Sequence, residues 1–217
     1  MNKPNLELVS HKVIKEPTLP EHTSHLYEYL FAANGVFVRA NRPNLEVLIP
    51  VIVYEQHIRG LAAVTPYVKL SPGKIPVDIL LEMLQASRDA SSNEILFHLN
   101  YNNQWELEIP LQIQTPNSCK PLHNDRNSTF ANALIDAHSH ASMTAFFSPT
   151  DNLDETGFRI YTVLGRVNTD TPEICTRVGL YQHYWNMPSH LIYELPGNII
   201  DRNRAGNRLT RAGLKQA

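Results

Sequence analysis

Two imidazoles one residue apart share a face only where the chain is extended, because side chains alternate across a strand with a period of two. His138 and His140 form such a pair, at the polar end of an otherwise apolar run from Ala133. Ser148-Pro149-Thr150-Asp151 follows. It predicts a helix start: Ser at the N-cap, Pro in the first helical position and an acid three residues after the cap. Gly157 is placed to end that helix. The chain must therefore fold so that a strand running from Ala133 to His140 is followed closely by a helix N-terminus. Two imidazoles side by side are a poor core filler, since each has a ring nitrogen to satisfy. They make a good half of a zinc site, which a carboxylate completes while leaving one position open for water. Taken alone, Ser148 and Asp151 are a capping pair and nothing more, and a lone His-x-His is more often a surface pair. Together they predict one Zn2+ per chain, held by His138, His140 and Asp151.

The surrounding chain bounds what that site can belong to. Its 217 residues allow one domain, or one with a small appendage. Hydrophobic residues at 42% can bury a core, and a net charge of −2 excludes a surface given over entirely to nucleic acid. A nucleic-acid partner is therefore not expected. Two cysteines, Cys119 and Cys175, make neither a disulfide framework nor a four-thiolate zinc site, and a reducing compartment fits them. The polar start shows no signal-peptide core, and no apolar run approaches the ~20 residues of a membrane span. A cytoplasmic protein without a membrane partner is expected.

Ser71-Pro72-Gly73-Lys74 is the strongest internal turn signal and predicts a boundary. Before it lies a β-rich extension, residues 1–71. Residues 1–20, with three prolines, read as a loose arm. Leu26 to Ala33 reads as one or two helical turns. Gly35 to Arg39, Glu46 to Glu55 and Ala62 to Leu70 read as strands, the last at an edge because of Pro66. In residues 72–200, Pro76 to Ala90 has the spacing of a helix face. Glu94 to Leu99 and Trp105 to Gln114 read as strands joined at Asn102-Asn103, and Thr115 to Ser128 as a loop. Phe158 to Val167 and Ile174 to Tyr184 are further strands. Residues 201–217 carry Arg202, Arg204, Arg208, Arg211 and Lys215 and read as a basic, solvated tail, with a phosphate- or partner-binding arm as the minority alternative.

His138-x-His140-x7-Ser148-x-x-Asp151 resembles the JAMM signature of the JAB/MPN metallopeptidases at all four positions. The resemblance spans roughly residues 72–190. It implies an α/β fold: a mixed β-sheet flanked by helices, in three layers like the deaminases. It implies zinc bound by the two His and the Asp, a serine (Ser148) that steadies the tetrahedral intermediate, and an upstream glutamate as general base. Glu55 and Glu94 compete for that last role. Glu94 follows the predicted helix, opens an apolar strand and precedes His138 by 44 residues, as the family pattern has it, whereas Glu55 lies before the helix. Glu94 is therefore the expected base. Many family members carry Pro after the second His, and here Ala141 stands there. Phe146-Phe147-Ser148, Gly157-Phe158-Arg159-Ile160-Tyr161 and Gly165-Arg166 resemble the PRTRC-system branch, which pairs a JAB domain with an N-terminal extension.

The activity so implied is hydrolysis of amide or isopeptide bonds at the C-terminal tail of a ubiquitin-like protein or its conjugates. Activating-enzyme-like proteins of the same gene cluster are further implied partners. Two alternatives remain: a zinc-free MPN scaffold that only binds partners, and a zinc hydrolase acting on small peptides or sulfur-carrier adducts. A Gly-rich phosphate loop, a His-Glu-x-x-His motif and the Pro-Cys-x-x-Cys of nucleic-acid deaminases are absent from the sequence. His183, beside Tyr184 and Trp185, reads as ordinary packing before it reads as a groove residue.

Overall fold

A computed structural model describes residues 7–123 and 128–203. The chain divides at Ser71/Pro72 into two compact units. In the described residues it is mixed α/β and dominated by strands.

In the first unit, β1 (Val9–Val13), β2 (Tyr27–Ala32), β3 (Gly35–Arg42), β4 (Leu45–Val53) and β5 (Tyr67–Leu70) form one sheet in sequence order. β1 runs parallel to β2, and the other pairs are antiparallel. Two expectations are corrected here. The described part of residues 1–20 contains β1, and Ile14 behind it is buried. Residues 27–32 are a strand and not helical turns: Glu28, Leu30 and Ala32 point into the unit while Tyr27, Tyr29 and Phe31 alternate outward. Aromatic residues at period two suit a pleated, half-buried surface better than a helix. Pro50 sits in β4 opposite Phe37 at a register shift, beyond the four residues that pair with β5, so its missing N–H forfeits no ladder bond on that side. Ile14, Leu30, Ala32, Phe37, Leu48 and Val64 form the core. Within it Glu28 meets Arg39 (2.5 Å) and Lys12 (2.8 Å).

The second unit opens with α1 (Val77–Asp89), entered through Pro76. Leu80, Met83 and Leu84 are its buried stripe, and Arg88 Nε donates to the Val167 carbonyl (2.8 Å). β6 (Leu96–Tyr101) and β7 (Trp105–Glu108) form a hairpin. The expected strand from Trp105 to Gln114 is broken at Pro110, which has no N–H to give. β8 (Gln112–Thr115) instead pairs with β9 (Ser118–Pro121), inside the segment read as a loop. Then come α2 (Thr129–Asn132), β10 (Ile135–Ser139), α3 (Pro149–Asp154), β11 (Arg159–Gly165), β12 (Glu173–Leu180), β13 (His183–Met187) and the short β14 (Ile200–Asp201). The main sheet runs β13-β12-β11-β10-β6-β7, with β14 beside β12. It is antiparallel except for the β10–β11 and β12–β14 pairs.

The expected single strand from Ile174 to Tyr184 is two strands joined at Tyr181-Gln182. Both turn residues have positive φ, 46° and 71°. Two consecutive positive φ values match the twist of a two-residue hairpin turn, which Asn-Gly would ordinarily mark. The sheet has two chemically different faces. Ile135, Ala137 and Ser139 of β10 are buried on one; Asp136 and His138, half-buried, point to the other. The expected tail is built in as far as the described residues go. Asp201 accepts hydrogen bonds from the Ser189 N–H and hydroxyl, and Asn203 Nδ2 donates to two carbonyls. Arg204, Arg208, Arg211 and Lys215 lie outside the described residues. No helix among the described residues is long and apolar enough to cross a membrane.

Candidate metal centre

β10 carries His138 in its last turn of alternation and His140 one step past its end. The antiparallel register of β10 against β6 pairs His138 with Leu96. Continued by two residues, it sets His140 opposite Glu94, and the two side chains approach to 3.9 Å (Nε2 to Oε1). α3 begins at Ser148 with a complete capping box: Ser148 Oγ accepts from the Asp151 N–H (3.2 Å), and Asp151 Oδ2 accepts from the Ser148 N–H (2.5 Å). The other Asp151 oxygen lies 3.5 Å from His138 Nε2. Capping therefore does not use up the carboxylate: Oδ2 closes the box, and Oδ1 is left facing His138.

The donor set can be tested against zinc. The ligand atoms of His138, His140 and Asp151 all lie within 4.8 Å of one another. The two Nε2 atoms are 3.1 Å apart. Tetrahedral zinc with bonds of ~2.0–2.1 Å separates two nitrogens by about 3.3 Å, so the pair is already spaced for it. His140 Nδ1 stands 3.3 Å from the Thr144 carbonyl. A carbonyl only accepts, so the proton belongs on Nδ1 and the Nε2 lone pair faces inward, the tautomer a metal needs. Burial pushes the His138 imidazole down to about 4 and lowers His140 as well, so both rings are neutral at physiological pH and free to ligate. These residues fit zinc.

Burial, with the Asp151 charge adding to it, pushes the Glu94 carboxyl up to about 7. Asp136, two residues before His138 on the same face, is likewise raised by burial to about 6 while Arg159 pulls it down. Glu55 belongs to the first unit and is exposed. His183 opens β13 and is not among the converging ligand atoms. Cys119 and Cys175 are free thiols held protonated by burial, Cys175 at about 11.

Other residues at the site had no motif to announce them. Glu173 and Arg177, on one face of β12, are both buried. Glu173 Oε2 accepts from the Ala145 N–H (3.0 Å) in the loop between His140 and Ser148. Arg177 reaches Asn152 and Glu155 on and just past α3. The one signal in the sequence was a charge inside the apolar run Ile174 to Leu180, since an arginine is seldom buried unless paired. Ala141, where the family resemblance led to proline, has φ of 44°, a conformation that proline's ring forbids.

No protein-family model matches this chain, and no curated protein matches it.

Proposed function

We propose that the chain is a zinc-dependent hydrolase that cuts peptide or isopeptide bonds at the C-terminal tail of a ubiquitin-like protein, with a second unit of the JAB/MPN type. The observation that carries this is the convergence of two inward-facing imidazole nitrogens and a carboxylate, with a second, non-ligating carboxylate beside them. Zinc held by His138, His140 and Asp151 would supply Lewis acidity and make water nucleophilic near neutral pH.

The chain's own groups account for the proton movements. Glu94 Oε1 takes the proton of the attacking water and returns it to the leaving nitrogen, a role worth ~10²–10⁴ in rate. Ser148 Oγ already accepts from the Asp151 N–H. Its own hydrogen is therefore left to donate to the oxygen of the scissile carbonyl, where one such donor contributes about 2.7–4 kcal/mol. Burial raises both cysteine thiols, so neither is a ready nucleophile, and the proposed attack is by water. An extended tail fits a narrow site reached along a strand edge.

Zinc quantification on the purified chain and on the His138→Ala, His140→Ala double variant tests the metal. One zinc per wild-type chain and none in the variant is expected. Wild type that neither retains nor takes up zinc points to the scaffold alternative. Incubation with a ubiquitin-like protein bearing a C-terminal extension or a lysine conjugate, followed by mass, tests the substrate. Cleavage abolished by a chelator is expected. Cutting of short peptides but no such tail keeps the hydrolase and removes the ubiquitin-like partner.

A further inference from the structure

α3 has only six residues, too few to hold its own shape or place without outside support. Yet it carries Asp151, which must stay within ångströms of His138. Its N-terminal turn is closed by the capping box. Its C-terminal carbonyls are orphaned by the helix geometry and need other partners.

Tyr184 of β13 faces two of those carbonyls, and Arg177 of β12 binds side chains of the same turn. Arg177 Nε and Nη2 stand 2.7 and 2.6 Å from Glu155 Oε2, at the C-cap of α3. Arg177 Nη1 donates to Asn152 Oδ1 at 2.6 Å. The same guanidinium lies 3.9 Å from the ring centroid of Phe147, the residue before the N-cap, and 4.2 Å from that of Tyr184. The Tyr184 hydroxyl stands 2.9 Å from the Asn152 carbonyl and 2.8 Å from that of Glu155, and its single hydrogen is shared between these two acceptors. Arg177 and Tyr184 therefore touch α3 before its first residue, in its middle and at its end, while making no bond to Asp151, His138 or His140. Tyr161 pairs with Arg177 across β11–β12, and β11 pairs with β10, so this support is connected by one ladder to the strand that carries the histidines.

The geometry points to Arg177 and Tyr184 as positioning residues that hold Asp151 in ligating register with His138 and His140. This rests on the metal-centre assignment above. His138 is fixed by strand pairing and His140 by its N–H bond to the Leu164 carbonyl (2.7 Å), whereas the capping box sets Asp151 only relative to its own helix, and the Arg177 and Tyr184 contacts tie that helix to the sheet. Loosening them should weaken metal binding by removing one ligand from its place, without touching a ligand. Loss of such an outer support typically lowers metal affinity ~10–100-fold.

The test uses the full-length chain and zinc or cobalt alone. Tyr184→Phe removes one hydroxyl and keeps the ring over Arg177. Arg177→Lys keeps the charge beside Glu155 but replaces the planar fork that reaches two partners with a single ammonium. Zinc affinity by chelator competition, the absorption spectrum of the cobalt-loaded protein and the thermal midpoint are measured for each. Expected are ~10-fold or greater weakening of zinc, an altered cobalt ligand-field spectrum in both variants, and folded protein in each. Variants that lose thermal stability but bind zinc as wild type does, with an unchanged cobalt spectrum, show a structural role only and overturn the inference. Wild type that binds no metal overturns the metal centre and this inference with it. Wild type that binds metal beside variants that bind it equally overturns this inference alone.

Discussion

At the scale of single residues, charge and burial together set how firmly each carboxylate holds its proton. Glu94 and Glu28 are both buried, and their surroundings push them in opposite directions. Around Glu94 burial, helped by the Asp151 charge, raises the carboxyl. Glu94→Gln should fold and retain zinc but lose nearly all hydrolysis, because an amide cannot accept the proton. Glu55→Gln should stay within a few-fold of wild type, and the reverse pattern in an assay of the two variants would assign the base wrongly. For Glu28, burial alone would raise the carboxyl; Lys12, the Thr23 N–H and Arg39 overcome it and hold the group at about 2. The folded-state value lies below the unfolded value of 4.5. Its contribution is thus fully present above pH ~5 and disappears as pH falls toward 2, on the order of 3 kcal/mol in all. Hydrogen exchange of the β2–β3 amides should show Glu28→Gln opening more readily than wild type at pH 7, with the gap closing as pH drops through that window.

Between elements, close approach of backbone to backbone is what shapes the site. The loop from His140 to Ser148 crosses β11 at Gly165. A Cβ there would stand 2.2 Å from the Ala145 nitrogen and 2.5 Å from the Thr144 carbonyl carbon. Only glycine allows the crossing, and the crossing holds the Thr144 carbonyl against His140 Nδ1. Gly165→Ala must displace backbone, which costs about 1–3 kcal/mol by analogy with overpacked cores. Calorimetry should show that loss, and zinc competition should show a weaker site, since the His140 tautomer loses its acceptor. The strand-to-helix grammar of the site was readable locally: alternation fixed the shared face of His138 and His140, and Ser148-Pro149 marked the helix start. The turn at Tyr181-Gln182 was not, because neither residue favours positive φ and only the pairing of β12 with β13 imposes it.

For the molecule as a whole, every proposed ligand lies in the unit that begins at Pro72. Zinc binding should therefore stabilise that unit by mass action, by about 4 kcal/mol when free zinc exceeds its Kd a thousandfold. Hydrogen exchange should show the added protection in β6, β10 and α3, with far less change in β2–β3. Uniform protection of both units would mean that they open together, and none in β10 or α3 would place the metal elsewhere.

Sequence alone determined the features whose cause is local. Those are the shared face of the His-x-His pair, the capping box of Ser148 and Asp151, the existence of α1, and the turn at Ser71–Lys74. Each depends on residues within one or two turns of one another, so propensity and spacing suffice. Tertiary structure decided what depends on partners far along the chain. Tyr27–Ala32 became a strand because β1 and β3 pair with it. Glu94 came to His140 through the β6–β10 register, and Arg177 came to α3 because β12 lies beside β11. A strand's neighbours, unlike a helix's, are not written in its own spacing, since every ladder bond joins residues that the chain separates.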